Sequence, residues 1–134
     1  MSTRKSRVVV VDDSELTRDM LVSLLERLNF AVSEAVDGAD ALLLLEREKP
    51  DLVMTDLDMP VMDGFTLLER IRESPTLRDV PVIVLSTRDS DDVKRKAMKL
   101  GANAYLVKAA FRADELHRTL KHYLKSSAKE SVDA

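Results

Sequence analysis

Hydrophobic residues fall into two rhythms along the chain. Val8-Val9-Val10-Val11, Leu52-Val53-Met54, Val82-Ile83-Val84-Leu85 and Ala104-Tyr105-Leu106-Val107 are short unbroken runs with no polar alternation. Such runs, rich in β-branched residues and too short for helices, predict strands covered on both faces. A fifth strand, residues 31–35, is more polar and suits the edge of a sheet. Between the runs, apolar residues recur three and four apart, the spacing of amphipathic helices. Leu16, Met20, Leu24 and Leu28 predict the first helix, with Ser14 and Asn29 as its caps. The second follows Asp37-Gly38 over residues 39–49 and is stopped by Pro50; its Leu42 to Leu45 run is core, with room for one exposed leucine. The third follows Asp63-Gly64, turns Phe65, Leu68 and Ile71 inward and ends near Ser74-Pro75. The fourth starts near Ser90, carries Asp91 and Asp92 where a helix dipole favours negative charge, and closes at Leu100-Gly101. Phe111, Leu116, Leu120 and Tyr123 or Leu124 mark the last.

Strands alternating with helices predict an α/β fold: one (βα)5 unit with a five-stranded parallel sheet, right-handed crossovers and helices on both faces. At 134 residues the chain is one domain by length. Residues 1–125 form that domain, and residues 126–134 are a polar tail or linker expected to fray. Parallel strands all end on one rim. That rim gathers Asp12, Asp13, Asp56, Ser86 and Lys108, residues far apart in sequence. In open α/β sheets ligands bind at this edge, which raises the standing of these groups above that of ordinary surface residues.

Composition narrows the function. There is no cysteine, so disulfide and thiol chemistry are absent. Net charge is −3 with both signs dispersed, which argues against a nucleic-acid partner. No apolar run approaches the roughly 18 residues of a membrane span, and the chain reads as soluble and cytoplasmic. The basic stretch Lys94, Arg95, Lys96 and Lys99 reads as a solvated helix surface, and His117 and His122 on the last helix are assigned no chemistry.

Three carboxylates converging on one rim repel one another, and burial makes the repulsion worse. A hard divalent cation relieves it, so the set predicts Mg²⁺, with Mn²⁺ as a second fit. Mg²⁺ takes one or two carboxylates directly and leaves room for a phosphoryl oxygen. The Ser86 hydroxyl and Lys108 ammonium are groups suited to the remaining oxygens. Asp56 is then a candidate nucleophile forming an acyl phosphate. Taken singly these residues say less: Ser86 alone reads as a strand-end cap and Tyr105 as a half-buried aromatic.

The chain resembles response-regulator receiver domains of the chemotaxis, CheY-like kind over residues 7–124. The resemblance rests on Val10-Val11-Asp12-Asp13, on Thr55-Asp56-Leu57-Asp58-Met59-Pro60-Val61-Met62-Asp63-Gly64, on Pro81 through Ser86 and on Gly101 through Lys108. It implies the flavodoxin-like strand order 2-1-3-4-5. It also implies that Asp56 accepts a phosphoryl group from a histidine kinase or phosphotransfer domain. Asp13, Asp56 and the Asp58 backbone carbonyl would hold Mg²⁺, with Asp12 acting through water. Ser86 would move to the phosphoryl oxygens, Lys108 would pair with them and Tyr105 would swing inward behind Ser86. A downstream protein would read the change on the face of helix 4, strand 5 and helix 5, and the domain would be a signalling module acting on itself, not an enzyme.

One position departs from the family. Its rim lysine usually precedes a proline in a cis peptide, whereas here Ala109 follows Lys108. A cis bond before alanine costs roughly 3–4 kcal/mol, against about 0.5–1 before proline. Either the strained bond is kept, or it is trans and Lys108 is held differently. Lys108-Ala109-Ala110-Phe111 and the acid Asp58 resemble receivers fused to chemotaxis kinases, so origin in a hybrid kinase is one expectation. Two other functions compete: a degenerate receiver that binds partners without phosphorylation, and a small Mg²⁺-dependent phosphatase. The second would want a further acid-base group and a lid, and no insertion is long enough for a lid.

Overall fold

The apolar runs pair in parallel, and their register decides what meets at the rim. In the computed structural model, which describes residues 5–132 and the side chains through residue 124, ten elements alternate. They are β1 (Arg7–Val11), α1 (Glu15–Arg27), β2 (Ala31–Ala35), α2 (Gly38–Glu48), β3 (Leu52–Thr55), α3 (Gly64–Glu73), β4 (Val82–Ser86), α4 (Asp91–Lys99), β5 (Ala104–Val107) and α5 (Ala113–Val132). The sheet order is β2-β1-β3-β4-β5, with every pair parallel. The order expected from the resemblance is therefore the one observed, and the polar strand β2 lies at an edge as its composition predicts.

Both faces of the sheet are covered, which is why its strands lack alternation. Val9, Val11, Val53, Val82 and Val84 pack with α2, α3 and α4 through Ala41, Leu45, Leu67, Leu68, Ile71 and Ala97. The intervening Val8, Val10, Leu52, Met54, Ile83 and Leu85 pack on the other side with Leu21 and Leu25 of α1 and Leu116, Leu120 and Leu124 of α5. Each fully buried leucine of this kind is worth about 1.5–3 kcal/mol. The loops leaving the first four strands each end in a side chain that caps the next helix: Ser14 accepts from Thr17 N–H, Asp37 from Asp40, Asp63 from Thr66 and Ser90 from Val93.

Three helical expectations need correction. On α1 the buried residues are Leu21 and Leu25, while Leu16 and Met20 are 81% and 50% exposed. The segment from Met20 to Leu28 offers two apolar stripes one residue apart, and the sheet selects the other one. On α3 Leu67 joins Leu68 and Ile71 inside, and Phe65 is half-buried with Lys96 Nζ 4.2 Å from its ring centre. Phe111 does not lie on the last helix but precedes α5, whose backbone runs from Ala113 to Val132. Residues 133 and 134 of the expected tail lie outside the described residues. Leu43 is the exposed leucine of the α2 run. Among the described residues no helix is long and apolar enough to cross a membrane.

Candidate functional site

Strand register builds the site. Val11 pairs with Thr55, so Asp12 and Asp56 leave β1 and β3 side by side, and Asp56 N–H donates to the Val11 carbonyl at 2.9 Å. Ser86 pairs with Val107, so Lys108 follows directly beyond it, its N–H 2.8 Å from the Ser86 carbonyl. The connection from β1 runs outward to β2 and the chain then returns to β3 on the other flank. Asp12 and Asp56 thus straddle the point where strand order reverses, the crevice in which open α/β sheets hold ligands.

Asp12, Asp56 and Ser86 are buried, and Asp13 is exposed. Ligand oxygens of Asp12, Asp13 and Asp56 all lie within 4.8 Å of one another. The two buried acids use their oxygens in the same way. Asp12 Oδ1 accepts from Ser14 N–H at 2.9 Å, and Asp56 Oδ1 accepts from Leu57 N–H at 2.7 Å. Lys108 Nζ bridges the other two oxygens, 2.7 Å from Asp12 Oδ2 and 3.2 Å from Asp56 Oδ2. Burial raises the Asp56 pKa; the Lys108 charge opposes the rise and Asp12 adds to it. Burial pulls the Lys108 pKa down, but its hydrogen bond to Asp12 and the two acid charges outweigh that and leave it raised. Lys108 is therefore an ammonium at neutral pH. An all-oxygen donor set with two buried carboxylates and one at the surface fits a hard divalent cation that keeps part of its water shell.

No peptide bond among the described residues is cis, so Lys108-Ala109 is trans. A turn closes directly after β5, with Ala110 and Phe111 N–H groups 3.0 Å from the Val107 carbonyl. Lys108 still reaches both acids from this turn. Tyr105 is half-buried, and its hydroxyl donates to the Arg88 carbonyl at 2.8 Å. In this structure its ring therefore hangs on the β4–α4 loop.

Glycine 64 sets how closely α3 approaches the acid. A Cβ there would lie 2.1 Å from the Asp56 carbonyl oxygen and 2.8 Å from Leu57 Cα, so no side chain fits. Two arginines missed by motif reading also support the rim. Arg18 Nη1 donates to the Asp12 carbonyl at 2.7 Å while Nε meets Glu34 at 3.2 Å, fixing the acid loop from behind. Arg88 pairs in a fork with Asp58 at the mouth of the site. Neither carries a motif signal of its own: Arg18 bonds the β1–α1 loop and Glu34 of β2, and Arg88 bonds the loop after β3, partners that only the fold brings beside them.

A doubly wound parallel sheet with acids, hydroxyl and lysine at its switch point defines a receiver-type α/β domain. Residues 8–121 match the response regulator receiver domain family, and the chain belongs to that family. It is 36% identical over 119 residues to the gliding motility regulatory protein of Myxococcus xanthus, covering 89% of this chain but 15% of that protein. It is similar to chemotaxis protein CheY4 of Vibrio cholerae, with a TM-score of 0.83 at 31% identity over 90% of this chain and 99% of that one. The receiver domain of the sensor histidine kinase PA1611 from Pseudomonas aeruginosa, solved with a magnesium ion coordinated in its active site cleft, gives a TM-score of 0.84 at 27% identity over 91% and 99%.

Proposed function

We propose that this domain accepts a phosphoryl group on Asp56 from a phosphohistidine in a kinase or phosphotransfer domain, and that the modified rim changes its binding to a downstream protein. The observation that carries this is the buried Asp56 carboxylate bridged by Lys108 to Asp12. A carboxylate oxygen of Asp56 attacks phosphorus, the phosphorus–nitrogen bond breaks, and its electron pair returns to the donor imidazole. Lys108 turns from the two acids to the new phosphoryl oxygens. The Ser86 hydroxyl, which accepts from Arg88 N–H at 3.1 Å, keeps its own proton to donate to another. Asp12, Asp13, Asp56 and the Asp58 carbonyl would hold Mg²⁺, which would neutralise charge on the acids and the transferring group. Tyr105 and the face of α4, β5 and α5 carry the output, because Tyr105 hangs on the loop that Ser86 begins.

Receivers in a chemotaxis protein and a motility regulator favour the same pathway class here, and the PA1611 receiver supports a hybrid kinase as parent chain. Incubation with acetyl phosphate and Mg²⁺ followed by intact mass tests the acceptor function: one phosphoryl adduct is expected, and none when the metal is chelated. An unchanged mass under conditions that modify another receiver favours phosphorylation-independent binding, and steady turnover of many sugar phosphates favours a phosphatase.

A further inference from the structure

Two loops flank the mouth of the acid pocket, residues 57–63 after β3 and residues 87–90 after β4. Asp58 stands two residues beyond Asp56 in the first, and Arg88 two beyond Ser86 in the second. The Arg88 guanidinium grips both oxygens of the Asp58 carboxylate, with Nε 2.9 Å from Oδ2 and Nη2 on Oδ1. Among the described residues no other hydrogen bond or ion pair joins these two loops. The Arg88 backbone is engaged as well: its N–H donates to Ser86 Oγ and its carbonyl accepts from the Tyr105 hydroxyl. One residue thus ties the mouth, the rim hydroxyl and the output tyrosine together.

We propose that the Asp58–Arg88 pair is a latch across the mouth of the site, and that Arg88 is a positioning residue limiting how fast a phosphoryl donor reaches Asp56. The inference rests on the function proposed above. A forked arginine–carboxylate pair has the best geometry an ion pair can have, so it holds the loops in one arrangement. Both side chains are 47% exposed, however, so water and salt reach the pair and it opens readily. It slows access without closing the site.

The test is the rate of adduct formation from acetyl phosphate and Mg²⁺ in the parent, Arg88→Gln, Asp58→Asn and the double variant, at low and high ionic strength. Each single variant is expected to react about fivefold faster than the parent at low salt, the factor an exposed pair of this kind is worth. The double variant should be no faster than either single one, because both remove the same contact. The ratio of variant to parent should shrink toward one at high salt, where the pair is already screened. A purely structural role would not give that salt dependence. Equal rates, a slower Arg88→Gln, or gains that multiply in the double variant would overturn the latch while leaving Asp56 as acceptor. A parent chain that takes no phosphoryl group overturns the proposed function, and the latch falls with it.

Discussion

Lys108 Nζ lies 2.7 Å from Asp12 Oδ2, closer than it lies to Asp56. The ammonium occupies the ground between two buried acids that a divalent cation would share. A metal held there would compete with the lysine for the same oxygens. Lys108→Ala should bind Mg²⁺ about tenfold more tightly in a calorimetric titration, the factor that ~1.4 kcal/mol of lost competition represents. Unchanged or weaker binding would mean that Lys108 orders the acids for the metal instead of opposing it.

The raised pKa of Asp56 gives stability a pH dependence with a definite sign. A carboxyl with a higher pKa folded than unfolded binds more protons in the folded state. Stability without metal therefore falls as pH rises from the unfolded carboxylate range through the folded value, and above it the loss is complete. Asp56→Asn removes the ionised form. In urea unfolding with chelator the variant should be more stable than the parent at neutral pH, and the gap should close in acid. A parent as stable as the variant at neutral pH would show that Lys108 fully compensates the burial of Asp56.

Arg72 on α3 ties together two other segments, residues 78–80 and 101–103. Its guanidinium donates to Gly101 at 2.7 and 3.1 Å, to Arg78 at 2.9 Å, to Val80 at 2.7 Å and to the Asn103 side chain at 3.0 Å. Burial lowers its pKa, with the charge of Asp79 opposing. Arg72→Ala leaves those acceptors without their donor and should cost about 3 kcal/mol in urea unfolding. Arg72→Lys, a point charge without the planar fork, should recover part of that. Recovery of all of it would show that charge alone matters at this site.

The contact between Gly64 and Asp56 links stability to the site. Gly64→Ala drives a methyl group into backbone atoms of Asp56 and Leu57, which cannot rotate away. A loss of about 1–3 kcal/mol is expected, together with a slower adduct at Asp56 because the acid is displaced. Parent-like stability and rate would mean that α3 shifts freely away from the strand end.

The sequence made the sheet legible because its central strands are buried on both faces and carry unbroken apolar runs. The rim followed from direction alone, since parallel strands must end together, and this brought Asp12, Asp56, Ser86 and Lys108 into one site. Helix faces were less legible. Leu16 and Leu21 both sit on plausible stripes of α1, and tertiary packing chooses between them. Arg18, Arg72 and Arg88 were invisible because each bonds backbone or acids from distant segments. The sequence left the Lys108-Ala109 bond with two alternatives, and the turn after β5 takes the trans one.

Acyl phosphates are reduced by borohydride to the alcohol, so a phosphorylated aspartate becomes homoserine and can be located by peptide mass spectrometry. That chemistry reports which carboxylate carried the phosphoryl group. After incubation with acetyl phosphate and Mg²⁺, the account predicts homoserine at position 56, with Asp12 and Asp13 unchanged and no conversion when the metal is chelated. Homoserine at position 12 or 13, or none in a sample whose intact mass shows the adduct, would contradict it.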